Sequence, residues 1–400
     1  MSEKKQNSIG ILGEGQLARM LIEGANSLAL KPKIFASSQD APAARIASDI
    51  TIGKIEETQK LQDFLKDLEL VAFENEFLDV SLLGKAAQSL NIKYLPRLET
   101  LQKLQDKFSQ KKIFELLHLP QASYEVLKEV SDENLKALLN RHPTGLVLKW
   151  SRMGYDGKGV FIVSSPAQVN VGDLKKFIEE GQRKSALVYA EDKVPFEHEL
   201  AIVAVRSVSG EFKHYPLVFS KQENGICKKV WGPATNFGLL LELEQKAAAM
   251  ARQLAENLDL VGSFALELFY TKTGELLINE AAPRVHNSGH YTQDACECSQ
   301  FENHWRALLD LPLGDTKTTP YFAMLNLLGP EGLSKKDGIH SLPQVSNDIA
   351  LHWYEKSEIR PRRKLGHLNL VADSLEEFQR KLSRMEIFDQ TWMKGLKSGI

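Results

Sequence analysis

The sequence predicts an α/β region that leads into an α+β region. Two patterns carry this. The N-terminal third alternates short apolar runs with helical apolar spacing. From residue 146 onward, apolar runs follow one another with few helices between them. Ser8–Leu12 reads as a first strand ending at Gly13. Gln16–Leu30 then sets Leu17, Met20, Leu21, Ala25 and Leu28 on one side of a helix. Lys33–Ala36 is a second strand, Thr58–Leu68 a second helix and Leu70–Phe73 a third strand. This βαβαβ order predicts a parallel sheet with helices on its faces. Thr100–Leu117 forms a charged amphipathic helix closed by Pro120, the passage to the next domain. Leu146–Trp150, Gly159–Val163, Leu187–Glu191, Glu199–Arg206 and Phe212–Phe219 predict an antiparallel or mixed sheet, and Leu243–Leu258 an Ala-rich helix. Signals weaken after Leu313, and Ile349–Leu370 is strand-rich.

A chain of 400 residues predicts two to three domains. With 43% hydrophobic and 26% charged residues, wholesale disorder is excluded. The formal net charge of −2 gives no global reason to expect a nucleic-acid partner. Three cysteines, Cys227, Cys296 and Cys298, exclude a disulfide scaffold and fit a reducing compartment. The polar start, Met1–Ser8, lacks the apolar core of a signal peptide, and no apolar run approaches the ~20 residues of a membrane span. The expectation is a cytoplasmic protein without a membrane partner.

Two glycine motifs stand out. Gly13-Glu14-Gly15-Gln16-Leu17-Ala18 fits a loose G-x-G-x-x-G/A pattern between strand and helix. Such a turn lets a phosphate approach helix N-terminal amides, or serves as a tight turn with no ligand. Asp40 is placed either as a ribose acid or as a turn residue. Gly154-Tyr155-Asp156-Gly157-Lys158-Gly159 lies between two strands, where backbone amides can wrap anionic oxygens. An ordinary glycine hairpin is the alternative, and Lys149 on the preceding strand favours a nucleotide flap.

Phe264–Tyr270 and Glu275–Glu280 read as a hairpin. A turn centred between Thr273 and Gly274 puts Glu267 opposite Glu280. Facing carboxylates in an apolar strand pair are costly, and a divalent cation resolves the conflict. A slipped register that sends one glutamate to solvent is the alternative. Arg284, His286, Asn287 and His290 follow in a turn-like stretch, where Arg284 can hold a small planar anion. Pro283 and Gly289 argue against a helical zinc pair at His286 and His290. Lys356, Arg360, Arg362, Arg363 and Lys364 make a short basic patch, suited to one small-molecule phosphate rather than a polymer.

On Gly154–Gly159, the Asn279-Glu280 and Ala282–Gln293 stretch, and Leu351–Leu370, the sequence resembles the N5-carboxyaminoimidazole ribonucleotide synthases, ATP-grasp enzymes of purine biosynthesis. The resemblance runs from about Ile9 to about Leu370. It implies an ATP-grasp fold with an N-terminal Rossmann-like domain (1–105), an ATP-grasp region (106–330, with a lid near 120–192) and a small β-rich cap (331–400). It also implies a homodimer. The implied reaction uses ATP and Mg²⁺ to activate bicarbonate as carboxyphosphate and to carboxylate 5-aminoimidazole ribonucleotide. Lys107, Lys149, Gly154, Gly157, Lys158, Gly159, Glu191, Lys193, Val194, Glu199 and Asn279 would then bind the nucleotide, and Glu267 and Glu280 the magnesium. Tyr155 and Asp156 would belong to the flexible loop, Arg284, His286 and Asn287 to the bicarbonate pocket. Gln16, Leu17, Glu76, Lys356 and Arg363 would take the ribonucleotide. Departures from the family pattern fall at Glu14, Ala18, Arg152-Met153, Gln222 and Arg362. A formate-using transformylase, a non-catalytic nucleotide-binding paralogue and a nicotinamide-dependent oxidoreductase are the competing readings.

Overall fold

The computed structural model describes residues 8–127, 130–152, 154, 158–331 and 344–398. Tyr155, Asp156 and Gly157 of the glycine loop lie outside the described residues.

The first layer is a parallel sheet in the order β3-β2-β1-β4-β5. It is built from β1 (Ile9–Leu12), β2 (Lys33–Ala36), β3 (Ile50–Ile52), β4 (Leu70–Phe73) and β5 (Lys93–Tyr94). Helices α1 (Gln16–Asn26), α2 (Thr58–Leu65) and α3 (Val80–Ala86) connect these strands. β1 and β4 are buried throughout, as a sheet covered on both faces requires.

The helix expected over residues 100–117 is two helices, α4 (Leu98–Leu104) and α5 (Lys107–Leu116). Asp106 breaks it, because its carboxylate accepts the Ser109 N–H (2.9 Å) and starts α5 afresh.

Next come β6 (Tyr124–Val126), α6 (Asp132–Arg141), β7 (Leu146–Trp150), β8 (Val160–Val163), α7 (Val171–Arg183) and β9 (Val188–Asp192). They form a four-stranded antiparallel sheet, β6-β9-β7-β8, with α6 and α7 packed in its core. β10 (Phe196–Arg206) opens the largest sheet. The single strand expected over residues 212–219 is split into β11 (Phe212–His214) and β12 (Val218–Glu223). Pro216, which has no N–H to donate, sits between them.

β13 (Ile226–Gly232), α8 (Leu241–Leu258), β14 (Gly262–Thr271), β15 (Leu276–Ala282), α9 (Thr292–Ala295) and α10 (Gln300–Leu308) follow. β16 (Tyr321–Leu328), β17 (Ala350–Trp353), β18 (Lys364–Ala372) and α11 (Leu375–Ser398) complete the chain. The main path of the large sheet is β15-β14-β10-β12-β13-β16-β18-β17. β16 is a buried strand in the region where sequence signals weaken. It bonds β13 on one side and β18 on the other, so the C-terminal strands extend the central sheet. α8 packs its alanine-rich face on that sheet. Trp305 of α10 ties it to the N-terminal layer by donating to the Leu21 carbonyl (2.8 Å).

Candidate active site

Glu267 on β14 and Glu280 on β15 face each other, as the hairpin reading predicts. The register nearer the turn does not follow that reading. Leu268 faces Ile278 and Phe269 faces Leu277, one residue away from a turn centred between Thr273 and Gly274. A bulge beside Glu267 absorbs Asn279 and restores the carboxylate pairing. It also keeps Asn279 near the pair, although regular alternation would send neighbours to opposite faces. Asn279 Nδ2 lies 3.4 Å from Glu267 Oε2, and its Oδ1 accepts from Lys149 Nζ (2.9 Å).

Burial and the charge of Glu280 push Glu267 up to about 7, against the pull of Lys107. Lys107, at the start of α5, places Nζ 2.6 Å from Glu280 Oε2. Burial works against its ammonium, but Glu280, Glu267 and Glu191 hold it above the ordinary lysine range.

Glu191 lies on β9, and its carboxylate turns inward. Oε1 pairs with Lys111 Nζ (2.8 Å) and Oε2 with Lys149 Nζ (2.8 Å). Burial would raise this carboxyl, but the two ammonium groups outweigh it and hold it below its usual range. Glu191 is therefore a buried link between α5 and the four-stranded sheet. Sequence reasoning missed Lys111, although it stands four residues after Lys107 on the same helix face.

Arg284 and Glu76, expected at two different substrate sites, form one forked ion pair. Nε and Nη2 donate to Oε2 (2.5 Å) and Oε1 (3.2 Å). Burial disfavours the guanidinium, yet Glu76 keeps it above the usual arginine value. Burial, with Arg284 and Lys364, holds His286 well below its usual value, so the ring is neutral. Its Nδ1 accepts the Ser288 N–H (3.3 Å), which leaves the ring proton on Nε2, 3.5 Å from Glu267 Oε1. Asn287 is buried, and neither amide atom has an oxygen or nitrogen partner among the described residues. His290 turns away, toward Tyr354, so the two histidines share no ligand position.

Three amides of the N-terminal glycine turn are already taken and not open to a phosphate. Glu74 takes them: its carboxylate accepts from the N–H groups of Glu14 (2.9 Å), Gly15 (2.8 Å) and Leu17 (3.2 Å). An anion already occupies the helix N-terminus. A Cβ on Gly13 or Gly15 would lie 2.2 or 2.3 Å from Glu74, so both glycines are required by this side chain. Glu14 turns to Ser37 and accepts from its hydroxyl (2.9 Å) and amide (2.5 Å). Asp40 is an exposed turn residue whose oxygen lies 3.6 Å from Arg45 Nη2.

Gln16 and Leu17 open α1, and one wall of a cavity of about 320 Å³ is formed farther along that helix, by Arg19 and Met20. The opposite wall is β17 with Tyr354 and Glu355. Arg19, which sequence reasoning passed over, bonds Glu355 across it (3.3 Å). Lys356 sits over the Tyr354 ring at 5.6 Å, and Arg363 Nη1 donates to the Glu358 carbonyl (3.2 Å). Arg362 adopts a left-handed backbone (φ 64°), a conformation that favours glycine. Glu199 is raised by burial and accepts the Gln222 N–H (3.2 Å). Lys193 reaches Ser164 (2.9 Å) beside the half-buried Val194. Gly154 is buried, Lys158 exposed, and Gly159 packs against Trp150.

A ribonucleotide synthetase preATP-grasp domain matches residues 6–105, and an ATP-grasp domain matches residues 112–301. A phosphoribosylaminoimidazole carboxylase C-terminal domain matches residues 323–381. The chain is 34% identical over 396 residues to the N5-carboxyaminoimidazole ribonucleotide synthase of Synechococcus elongatus, covering 96% of this chain and 95% of that one. It is 36% identical over 388 residues to the synthase of Synechocystis sp., covering 94% of each. The solved synthetase of Thermus thermophilus superposes with a TM-score of 0.81 at 33% identity, covering 95% of this chain and 98% of that one. The Aspergillus clavatus synthase, solved with ADP and 5-aminoimidazole ribonucleotide, gives 0.82 at 30% identity with the same coverage.

Proposed function

The chain belongs to the N5-carboxyaminoimidazole ribonucleotide synthase family, and from that premise we propose how its residues carry the reaction. It is an ATP-grasp ligase that carboxylates 5-aminoimidazole ribonucleotide in purine biosynthesis, driven by ATP. A bicarbonate oxygen attacks the γ-phosphorus, ADP leaves, and carboxyphosphate results. The exocyclic amine then bonds to the carboxyl carbon, with loss of phosphate and a proton.

The observation that carries this reading is the Arg284–Glu76 fork. It joins the loop suited to bicarbonate with the N-terminal residue suited to the ribonucleotide, so carbon donor and acceptor meet at one ion pair. The Asn287 amide, which has no oxygen or nitrogen partner among the described residues, would offer a donor and an acceptor, as a planar bicarbonate requires. Arg284 faces charge on the carbonate oxygens. Neutral His286 supplies a donor without adding positive charge. Lys107 and Lys149 bring ammonium groups beside the carboxylate hairpin, where nucleotide phosphates would lie.

The carboxylate pair fits magnesium. Burial and mutual repulsion leave Glu267 short of cationic compensation. Among the described residues no group of three or more Asp, Glu, His or Cys side chains is arranged to hold a metal ion, and magnesium is commonly held by one or two carboxylates plus phosphates. Glu267 and Glu280, with Asn279 beside them, would hold it, and its charge would offset that of the transferred phosphoryl group. Tyr155 and Asp156 would close over the substrates, Asp156 holding the amine. Gly154, Gly157, Lys158 and Gly159 would cover the phosphates, and Glu199 would take the ribose. The backbone at Glu191, Lys193 and Val194 would meet the adenine. Lys356 and Arg363 would clamp the 5′-phosphate. A cytoplasmic homodimer completes the proposal; light scattering tests the dimer. Among the described residues no helix is long and apolar enough to cross a membrane.

A coupled ADP-release assay tests the reaction. ADP release should require bicarbonate and rise with 5-aminoimidazole ribonucleotide. A folded, ATP-binding protein indifferent to both overturns the proposal, and stimulation by formate instead would mark a transformylase.

A further inference from the structure

A buried polar cluster lies where β17 and β18 meet the loop 286–290, and the proposed chemistry leaves it unused. Asn369 on β18 donates from Nδ2 to the His290 carbonyl (3.0 Å) and to Asp294 Oδ2 (2.6 Å). Tyr354, just past β17, sets its hydroxyl 2.7 Å from His367 Nδ1 and 3.4 Å from His290 Nδ1. The His290 and His367 rings lie 4.7 Å apart, and those of His367 and His352 4.4 Å apart. His352 Nε2 closes the cluster on Asp294 Oδ2 at 2.7 Å. His290, His367, Tyr354 and Asn369 are all buried.

Such a cluster is an expensive way to join two elements. Nε2 of both His290 and His367 has no partner among the described residues, so part of the desolvation cost stays uncompensated. Apolar side chains of similar shape would bind the elements more strongly, and what the polar groups add is a defined geometry. The loop they fix carries His286 and Asn287. Of the strands they fix it to, β17 leads on to Lys356, and Arg363 immediately precedes β18.

We infer that Tyr354, His367 and Asn369 are positioning residues, holding the bicarbonate loop in register with the phosphate-binding end of the C-terminal strands. The inference rests on the proposed function, because it concerns how that site is held.

Tyr354→Phe keeps the ring and its packing while removing the hydroxyl, so it separates positioning from folding. In ADP-release kinetics, Tyr354→Phe and His367→Leu should each raise KM for bicarbonate roughly three- to tenfold, with KM for ATP little changed. The double variant should be no worse than the worse single one, because both break one bridge. His367→Asn, whose amide stands where Nδ1 stood, should restore most of the loss. Folded variants with an unchanged bicarbonate KM overturn the inference, as does a loss that His367→Asn leaves unrepaired. The unsubstituted protein separates the two claims. If its ADP release ignores bicarbonate, the proposed function fails and this inference with it. If it needs bicarbonate and Tyr354→Phe and His367→Leu match it, only the positioning role fails.

Discussion

Replacing Lys111 with Met tests the buried link between α5 and the four-stranded sheet. The Glu191 and Lys111 side chains are 4% and 2% exposed, so water cannot replace the lost ammonium. Removing one partner of a fully buried pair costs about 3–5 kcal/mol. Lys149 remains 2.8 Å from the other Glu191 oxygen and takes up part of the charge, which puts the expected loss at about 2–3 kcal/mol. Trp150, buried beside Lys149 on β7, reports on this sheet, so urea unfolding followed by tryptophan fluorescence is a suitable assay. The double variant Lys111→Met/Glu191→Gln should be more stable than Lys111→Met alone, because the orphaned charge is gone. The pH dependence has a definite sign. Glu191 has a lowered folded-state pKa, so its contribution is present above the ordinary carboxylate pKa of 4.5 and lost as pH falls through the lowered value. The stability gap between the unsubstituted protein and Glu191→Gln should be constant near neutrality and close only in acid. A Lys111→Met protein within about 0.5 kcal/mol of its parent would refute the buried-link argument.

Glu280→Gln should cut turnover by at least about a hundredfold while the melting temperature stays close to the parent's; near-normal turnover would remove the magnesium role. Glu76→Gln weakens the Arg284 fork and should raise KM for both bicarbonate and the ribonucleotide, and an effect on one substrate alone would separate the two sites. Glu74→Gln keeps an acceptor at the α1 N-terminus but loses its charge, so thermal unfolding should show a loss of about 1–2 kcal/mol.

The parallel N-terminal sheet, the hairpin and the Glu267–Glu280 pairing were legible because each depends on local periodicity or on short chain separation. The bulge at Asn279 was not legible. A bulge inserts one residue without changing the alternating pattern on either side, so the carboxylate pairing followed from an imperfect register. The break at Asp106 left a clear signal in the capping Asp followed by Ser109, but helical periodicity on both sides masked it. β16 reads as an apolar run interrupted by Asn326, which periodicity alone does not separate from buried helix.

The sequence alone determined the order of elements, the residue types of a phosphate- and metal-handling site, and a family-wide resemblance. It left the glycine turn undecided between phosphate and empty turn, and only the tertiary structure decided it. Glu74 lies 59 residues from Gly15, and β4 brings its carboxylate onto the amides. In the same way Glu76 reaches Arg284 across 208 residues, and Lys107 reaches Glu280 across 173. Local pattern records which way a side chain faces on its own element. The charge that meets it there is set by how separate elements pack, and at this site those long-range ion pairs decide which groups remain open to substrate.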